Sequence, residues 1–413
     1  MNNEKAHAQS PNLSLKEDLD GLKIYLIVGE PSGDILASRL IKAIRKQRPE
    51  TEFFGIGGET MKAEGFNSLF NIKDLSVMGV MEVVPKLPII LRRRKEVLAD
   101  IEKVQPDMIV TVDSWGFINS ILKKLKRKNC KIPKVHYVAP QVWAWKKSRA
   151  KKAAKLLEHL MTLMPYEPSY FEKYGLDCTF VGHPVIETTA NFSHSSAWQN
   201  RHSFLEQANI PENSRVLCVL PGSRHSEVSK LAPVFVESVK RLNEKIPNLF
   251  LLIPSVETMK DEINEFFKNI KIPYKIIVGQ KARYEAFCIS EFAIAASGTV
   301  SLELAACGTS HIIAYKFNRL TNAIVEFLAV TKYANLINVL ADHFVIPEFV
   351  LRNCRADLIS PEVFSFLQNK DKCEAQILQA KEQLSKLKPA DKLPSEKAAE
   401  VVLNIITQKS SIG

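Results

Sequence analysis

The stretch Lys23-Ile24-Tyr25-Leu26-Ile27-Val28-Gly29-Glu30-Pro31-Ser32-Gly33-Asp34 decides how the rest of the chain is read. Ile24 to Val28 run without polar alternation and stop at Gly29. A strand of that kind is buried on both faces, as in a parallel sheet covered by helices. From Ile35 to Ile44 the apolar residues recur at helical spacing. Strand, loop and helix therefore follow one another as a βα corner. Gly29 and Gly33 permit backbone angles that other residues avoid, and Asp34 is suited to cap the helix. Such a corner points free N–H groups above the sheet. The loop is neither a Gly-x-Gly-x-x-Gly dinucleotide loop nor a phosphate loop ending Gly-Lys-Ser/Thr. Glu30 also places a carboxylate where a phosphate would be repelled.

A chain of 413 residues is longer than the roughly 250–300 residues that one core supports, so two domains are expected. The net charge of +11 favours an anionic partner, whether nucleic acid, a membrane surface or a phosphorylated substrate. Seven cysteines occur without a CxxC pair, which points to free thiols in a reducing compartment. Residues 1–21 are polar and read as a loose tail rather than a signal peptide. No run approaches the ~20 apolar residues that span a bilayer, so a cytoplasmic location is expected.

Residues 22–186 read as a first α/β unit with further strands near 51–56, 107–113, 135–138, 160–163 and 179–181. Asp113 ends one of these strands, where open parallel sheets bind their ligands; the plainer reading is a helix cap. Residues 67–84 are irregular and apolar, and lead into a helix whose Leu87, Ile89 and Ile90 precede Arg92, Arg93, Arg94 and Lys95. With Met81, Val83 and Val84, this segment has the pattern of a surface helix dipping into an anionic bilayer. A core-facing loop followed by a helix with a solvated basic end fits equally. Trp143 lies in the loop 139–145, and the cations Lys146, Lys147, Arg149, Lys151, Lys152 and Lys155 follow it. These are either a solvated helix face or a site for a phosphate or lipid headgroup. Residues 187–214 read as a linker.

The second unit, 215–360, begins as the first did, with a strand, the turn Pro221-Gly222-Ser223 and a helix from Arg224. Its strand 292–296 runs into Ser297-Gly298-Thr299 at a helix start, an arrangement suited to a diphosphate. Glu303, one turn further, is placed to accept from a ribose hydroxyl or simply to cap that helix. An apolar helix is expected at 320–330, and Lys/Glu-rich helices over 361–413 end the chain.

Two Rossmann-like parallel-sheet domains facing across a cleft resemble the GT-B glycosyltransferase fold. Several motifs together resemble the lipid-A-disaccharide synthase family. They are Gly29-Glu30-Pro31-Ser32-Gly33-Asp34, Val77-Met78-Gly79 with Glu82-Val83, and His136 to Trp145. Gly182-His183-Pro184, Leu220 to Arg224 with Glu227, Ala296 to Thr299 with Glu303, Asn335 to Asn338 and Pro347-Glu348 follow in the family's order. The resemblance covers residues 22 to 405. It implies inverting transfer of a 2,3-diacylglucosamine unit from UDP to 2,3-diacylglucosamine 1-phosphate. No paired carboxylates with metal spacing stand near these loops, so no cofactor or metal is expected, with cationic side chains and helix N-termini in place of a divalent ion. Asp113 matches the family's base, although Trp115-Gly116 replaces the usual Pro-Asp pair after it.

Arg224 would stabilise the leaving UDP, with Glu30 as a further catalytic candidate. The resemblance assigns Ser223, Ser297, Gly298, Thr299, Glu303 and Asn338 to UDP. Ser32, Asp34, Trp143 and His183 fall to the acceptor side and cleft. It implies docking at the anionic cytoplasmic face of the inner membrane and leaves a homodimer open. A UDP-N-acetylglucosamine epimerase on the same scaffold and a nucleic-acid binder are the rivals. The latter lacks the interleaved aromatics of a stacking platform.

Overall fold

A computed structural model of the chain describes residues 21–75, 80–142, 148–194, 201–316 and 332–410, except the side chains of 80–86, 409 and 410. Among them, twelve strands form two parallel sheets. The first contains β1 (Lys23–Val28), β2 (Glu52–Ile56), β3 (Met108–Val112), β4 (Lys134–Tyr137), β5 (His159–Thr162) and β6 (Asp177–Phe180), in the order β2-β1-β3-β4-β5-β6. The second contains β7 (Arg215–Leu220), β8 (Leu249–Ser255), β9 (Tyr274–Val278), β10 (Phe292–Ala296), β11 (His311–Tyr315) and β12 (Glu348–Val350), in the order β9-β8-β7-β10-β11-β12.

In each sheet the chain order reverses between two central strands, β1 and β3 in the first and β7 and β10 in the second. Connections leave such a pair in opposite directions and open a crevice beyond the strands' carboxyl ends. Val28 pairs with Val112, and Leu220 with Ala295. The loops after β1 and β3 therefore emerge side by side, as do those after β7 and β10. Ile24 to Val28 are fully buried, as an apolar run without alternation requires.

Several boundaries differ from the sequence expectation. Residues 80–104 form one helix, Val80–Val104, which begins inside the segment expected to be irregular and continues through Pro85 and Pro88. The second part of the expected linker belongs to the second core, because Leu205 and Ile210 are buried against Val216, Phe250 and Leu252. The strands β11 and β12 were not expected. The three terminal helices cover different parts of the molecule. Ala356–Gln368 packs on His225–Asn243 and Lys370–Ser385 on Val300–Cys307. The last helix, Pro394–Ser410, returns to the first sheet's side. There Ala398, Ala399 and Val402 are fully buried in one cluster with Leu40, Ile41 and Ile44 of the helix Pro31–Gln47. The expected helix at 320–330 lies outside the described residues. No described helix is long and apolar enough to cross a membrane.

Candidate active site

A cleft of about 1030 Å³ opens where the carboxyl ends of the two sheets face each other. The first half lines it with Glu30, Ser32, Asp113, Trp115, His136 and His183. The second half contributes Gln280, Arg224, Arg283, Tyr284, Thr299 and Glu303.

Asp113 directly follows β3 in the left-handed region, with φ of 55°, and Ser114 comes next at 42°. Val138, after the adjacent β4, has φ of 82°, an outlier for a β-branched residue. Each such residue costs on the order of 1–3 kcal/mol, and such strain collects at functional sites. Neighbouring bonds fix the turn. The Asp113 N–H donates to Tyr137 O at 2.9 Å. The Asp113 carboxylate accepts from the Ser114 N–H at 2.8 Å and from the Ser32 hydroxyl at 3.0 Å. Asp113 is thus tied to the loop after β1 and turned into the cleft.

Gly29 makes this approach possible, though not through its dihedral angles as its sequence suggested. Neither Gly29 nor Gly33 is among the residues with positive φ. A Cβ on Gly29 would instead overlap the Ser114 side chain, and one on Gly33 would press to 3.3 Å from Val112 O. Both glycines are small because two loops and a helix converge there. Asp34 is also corrected. It lies within the helix, whose N-cap is Glu30, and is buried away from the cleft. Its carboxylate caps the next helix, Glu59–Ala63, accepting from the N–H groups of Gly58 at 2.7 Å, Thr60 at 2.8 Å and Met61 at 3.2 Å, and from the Thr60 hydroxyl. The cleft gains nothing from it directly.

Burial first, and the neighbouring charge of Asp113 second, raise the Glu30 carboxyl above the ordinary range, while Arg224 acts in the opposite sense. Glu30 therefore lies in the field of one residue from each half. His183 and His136 line the same cleft as neutral imidazoles, because burial pushes them down to about 4 and about 3. His183 Nδ1 accepts from the Val185 N–H at 3.1 Å. His136 Nδ1 meets the Thr111 hydroxyl at 2.7 Å, and its Nε2 is buried without a partner among the described residues.

In the second half, Arg224 is the N-cap of the helix His225–Asn243. Its side chain is half-exposed, 3.6 Å from Glu227. Glu227 also accepts from the Ser223 N–H at 3.1 Å, and it fills the space beside Gly222, whose φ of 127° is open only to glycine. Gly298 and Thr299 are exposed at the start of the helix Val300–Cys307, and a Cβ on Gly298 would meet open space. Ser297 donates to Ala334 O at 3.1 Å. Glu303 accepts from Arg283 and from the Tyr284 hydroxyl, each at 2.8 Å.

Asn338 does not fit its expected place on the uridine side. It is fully buried, donates to Ile346 O and Glu348, and accepts from the N–H groups of Val345 and Ile346. With its bonding satisfied internally, it shapes the chain around Glu348. Trp143 lies outside the described residues, as do the side chains of Met81, Val83 and Val84. Of the remaining residues expected at a membrane, Leu87 and Ile89 are exposed. Leu87, Ile90 and Arg94 line the cleft, while Arg92 and Arg93 pair with Glu96. Sequence reasoning missed Trp115, Gln280, Arg283 and Tyr284. For the last three the available signal was the turn at Gly279, which follows a strand as Gly29 does.

Two Rossmann-like sheets that present their reversal points to a shared cleft define a GT-B fold. Solved structures agree on the architecture. UDP-GlcNAc 2-epimerase from Neisseria meningitidis superposes with a TM-score of 0.63 at 10% identity, covering 94% of this chain and all of that one. MurG of Acinetobacter baumannii gives 0.55 at 12% identity, covering 94% and 99%.

Sequence narrows the class further. The family model for lipid-A-disaccharide synthetase matches residues 24–402. The lipid-A-disaccharide synthase of Paramagnetospirillum magneticum is 43% identical over 388 residues, 93% of this chain and 98% of the relative. That of Rhodospirillum centenum is 38% identical, over 94% and 96%. The chain belongs to the lipid-A-disaccharide synthase family.

Two outcomes follow from this geometry. Gly29→Ala drives a methyl group into Ser114 and displaces Asp113, so turnover should fall about 100-fold, as for ångström-scale misplacement within an active site. Adding Ser114→Gly restores part of it, which a double-mutant cycle in kcat measures. The raised Glu30 carboxyl binds its proton more tightly folded than unfolded. Its contribution to stability is therefore greatest below the ordinary glutamate range and falls as pH rises towards the folded value. Glu30→Gln consequently raises the melting temperature relative to wild type at pH 8, and the difference shrinks towards pH 4.

Proposed function

We propose that this protein is an inverting glycosyltransferase. It condenses UDP-2,3-diacylglucosamine with 2,3-diacylglucosamine 1-phosphate, releasing UDP and a β-1,6-linked disaccharide 1-phosphate in lipid A biosynthesis. One observation supports the reading above all others: a carboxylate from the first sheet, Asp113, and a cation from the second, Arg224, line the same cleft.

The acceptor's 6-hydroxyl attacks the anomeric carbon of the donor from the face opposite UDP, so configuration inverts in one displacement. The hydroxyl must lose its proton as the bond forms, and Asp113 is the base that takes it. Ser32 and the Ser114 N–H hold that carboxylate in one orientation, leaving lone pairs for the hydroxyl. Charge accumulates meanwhile on the diphosphate. Arg224 and the exposed N–H groups at Gly298 and Thr299 stabilise it, with Ser223 and Ser297 bordering the same loops. Glu303, held by Arg283 and Tyr284, faces the donor's ribose. Glu30 sits where the two substrates meet and orients the sugar hydroxyls.

The acylated substrates come from a bilayer, and the exposed Leu87 and Ile89 of the helix Val80–Val104, beside Arg92, meet its anionic face.

Asp113→Asn should lower kcat by about 10²–10⁴ with little change in KM for the donor. Arg224→Ala should cost about 10²–10³. UDP release in steady state reads both, and near-native turnover by the Asp113 variant would remove it as the base. Leu87→Ser with Ile89→Ser should weaken sedimentation with vesicles of anionic phospholipid while UDP binding stays intact. Unchanged sedimentation sinks the docking surface.

A further inference from the structure

The basic run that ends the apolar segment does not act as one patch. On the helix Val80–Val104, Leu87, Ile90, Leu91 and Arg94 are spaced i, i+3, i+4 and i+7, and all line the cleft. Arg92 pairs with Glu96 at 3.5 Å. Arg93 bridges Asp74 and Glu96 at 2.6 Å each and lies over the Phe70 ring. Of the three, only Arg94 lines the cleft. It is partly buried, has no hydrogen bond or ion pair among the described residues, and its Nε is shut off from solvent.

A second cation behaves in the same way. Arg149, on the helix Ser148–Ala154, is partly buried and lines the same cleft, also without a carboxylate partner among the described residues. Its neighbours Lys151 and Lys152 are exposed. The carboxylates that line the cleft are Glu30, Asp113 and Glu303. Asp113 is held by Ser32 and Ser114, and Glu303 by Arg283 and Tyr284. The charges acting on Glu30 are those of Asp113 and Arg224. Among the described residues, two partly buried guanidinium groups are thus left without an anion. Partly desolvated charges of this kind call for an acceptor, and guanidinium groups match the oxygens of a phosphate in pairs. The apolar stripe of Leu87, Ile90 and Leu91 directly adjoining Arg94 adds a second requirement, since the anion must carry hydrocarbon beside it.

We propose that Arg94 and Arg149 form the subsite for the anomeric phosphate of the acceptor, with Leu87, Ile90 and Leu91 guiding its acyl chains. The inference rests on the glycosyltransferase reading above and adds the acceptor's anchor to it. The cleft then holds two anion sites on opposite walls. Arg224 serves the donor's diphosphate from the second half, and the Arg94–Arg149 pair serves a phosphate monoester from the first. Anchoring the acceptor at its phosphate leaves its far hydroxyl free to reach Asp113.

The test compares the full-length wild type with Arg94→Gln and Arg149→Gln on two acceptors, 2,3-diacylglucosamine 1-phosphate and the same sugar without phosphate. Wild type should prefer the phosphorylated acceptor. Each substitution should lower kcat/KM for it about 10- to 100-fold, the range for a lost charge-assisted hydrogen bond, and mainly through KM. Turnover of the unphosphorylated acceptor and KM for the UDP-sugar should stay unchanged, so the preference collapses. Both acceptors are assayed on one preparation, so any misfolded fraction cancels from the ratio. Arg94→Lys should keep part of the preference. A preference that survives both glutamine substitutions overturns the subsite, as does a rise in donor KM in place of acceptor KM. A wild type that uses neither acceptor overturns the glycosyltransferase reading itself.

Discussion

The convergence of two loops at the end of the first sheet governs this structure, and it depends on how closely Gly29 and Ser114 pass. The loop after β1 can lie on the turn after β3 only because Gly29 has no side chain there. That contact brings Ser32 within hydrogen-bond distance of Asp113 and holds two consecutive residues in the left-handed region. The register of β1 on β3 ends with Val28 opposite Val112, one residue before Asp113. Sheet topology, local strain and hydrogen bonding therefore act on a single carboxylate. Chain reversal at β7 and β10 repeats the arrangement in the second half, where the loop at Gly222 supplies a cation instead.

Much of this is legible in the sequence, because burial on both faces leaves a strong mark. The unalternating runs at Ile24–Val28, Met108–Val112, Arg215–Leu220 and Phe292–Ala296 gave the central strands of both sheets, and the residues that follow each run line or border the cleft. Edge strands carry less signal. The three-residue β12 is too short for periodicity to register, and β11 is followed by residues of quite different character. Where the last helix packs is not legible in the sequence, because its partner, Pro31–Gln47, is more than 300 residues away in the chain. No local pattern reveals which of two cores an amphipathic helix will cover.

Among the site residues, sequence indicated where polar groups stand but not where they point. Asp34 and Asp113 are both aspartates a few residues beyond or at the end of a central strand, yet one caps a neighbouring helix and the other faces the cleft. Only the three-dimensional path of the chain at Gly58 separates them. Asn338 lies in a motif of the family, but its amide is used up by Val345, Ile346 and Glu348. Arg92, Arg93 and Arg94 are chemically identical and adjacent. The 100° advance per residue of the helix sends them to different surroundings. Arg283 and Tyr284 become visible only once Glu303 is seen to hold them.

The proposed reaction divides the work between the halves, with UDP held by the second and proton removal carried out by the first. Calorimetric titration of UDP into wild type, Asp113→Asn and Arg224→Ala tests that division without requiring turnover. Arg224→Ala should weaken UDP binding about 10- to 100-fold, the range for losing a charge-assisted contact to phosphate, while Asp113→Asn binds UDP as wild type does. Loss of UDP affinity in the Asp113 variant, with Arg224→Ala unaffected, would contradict it.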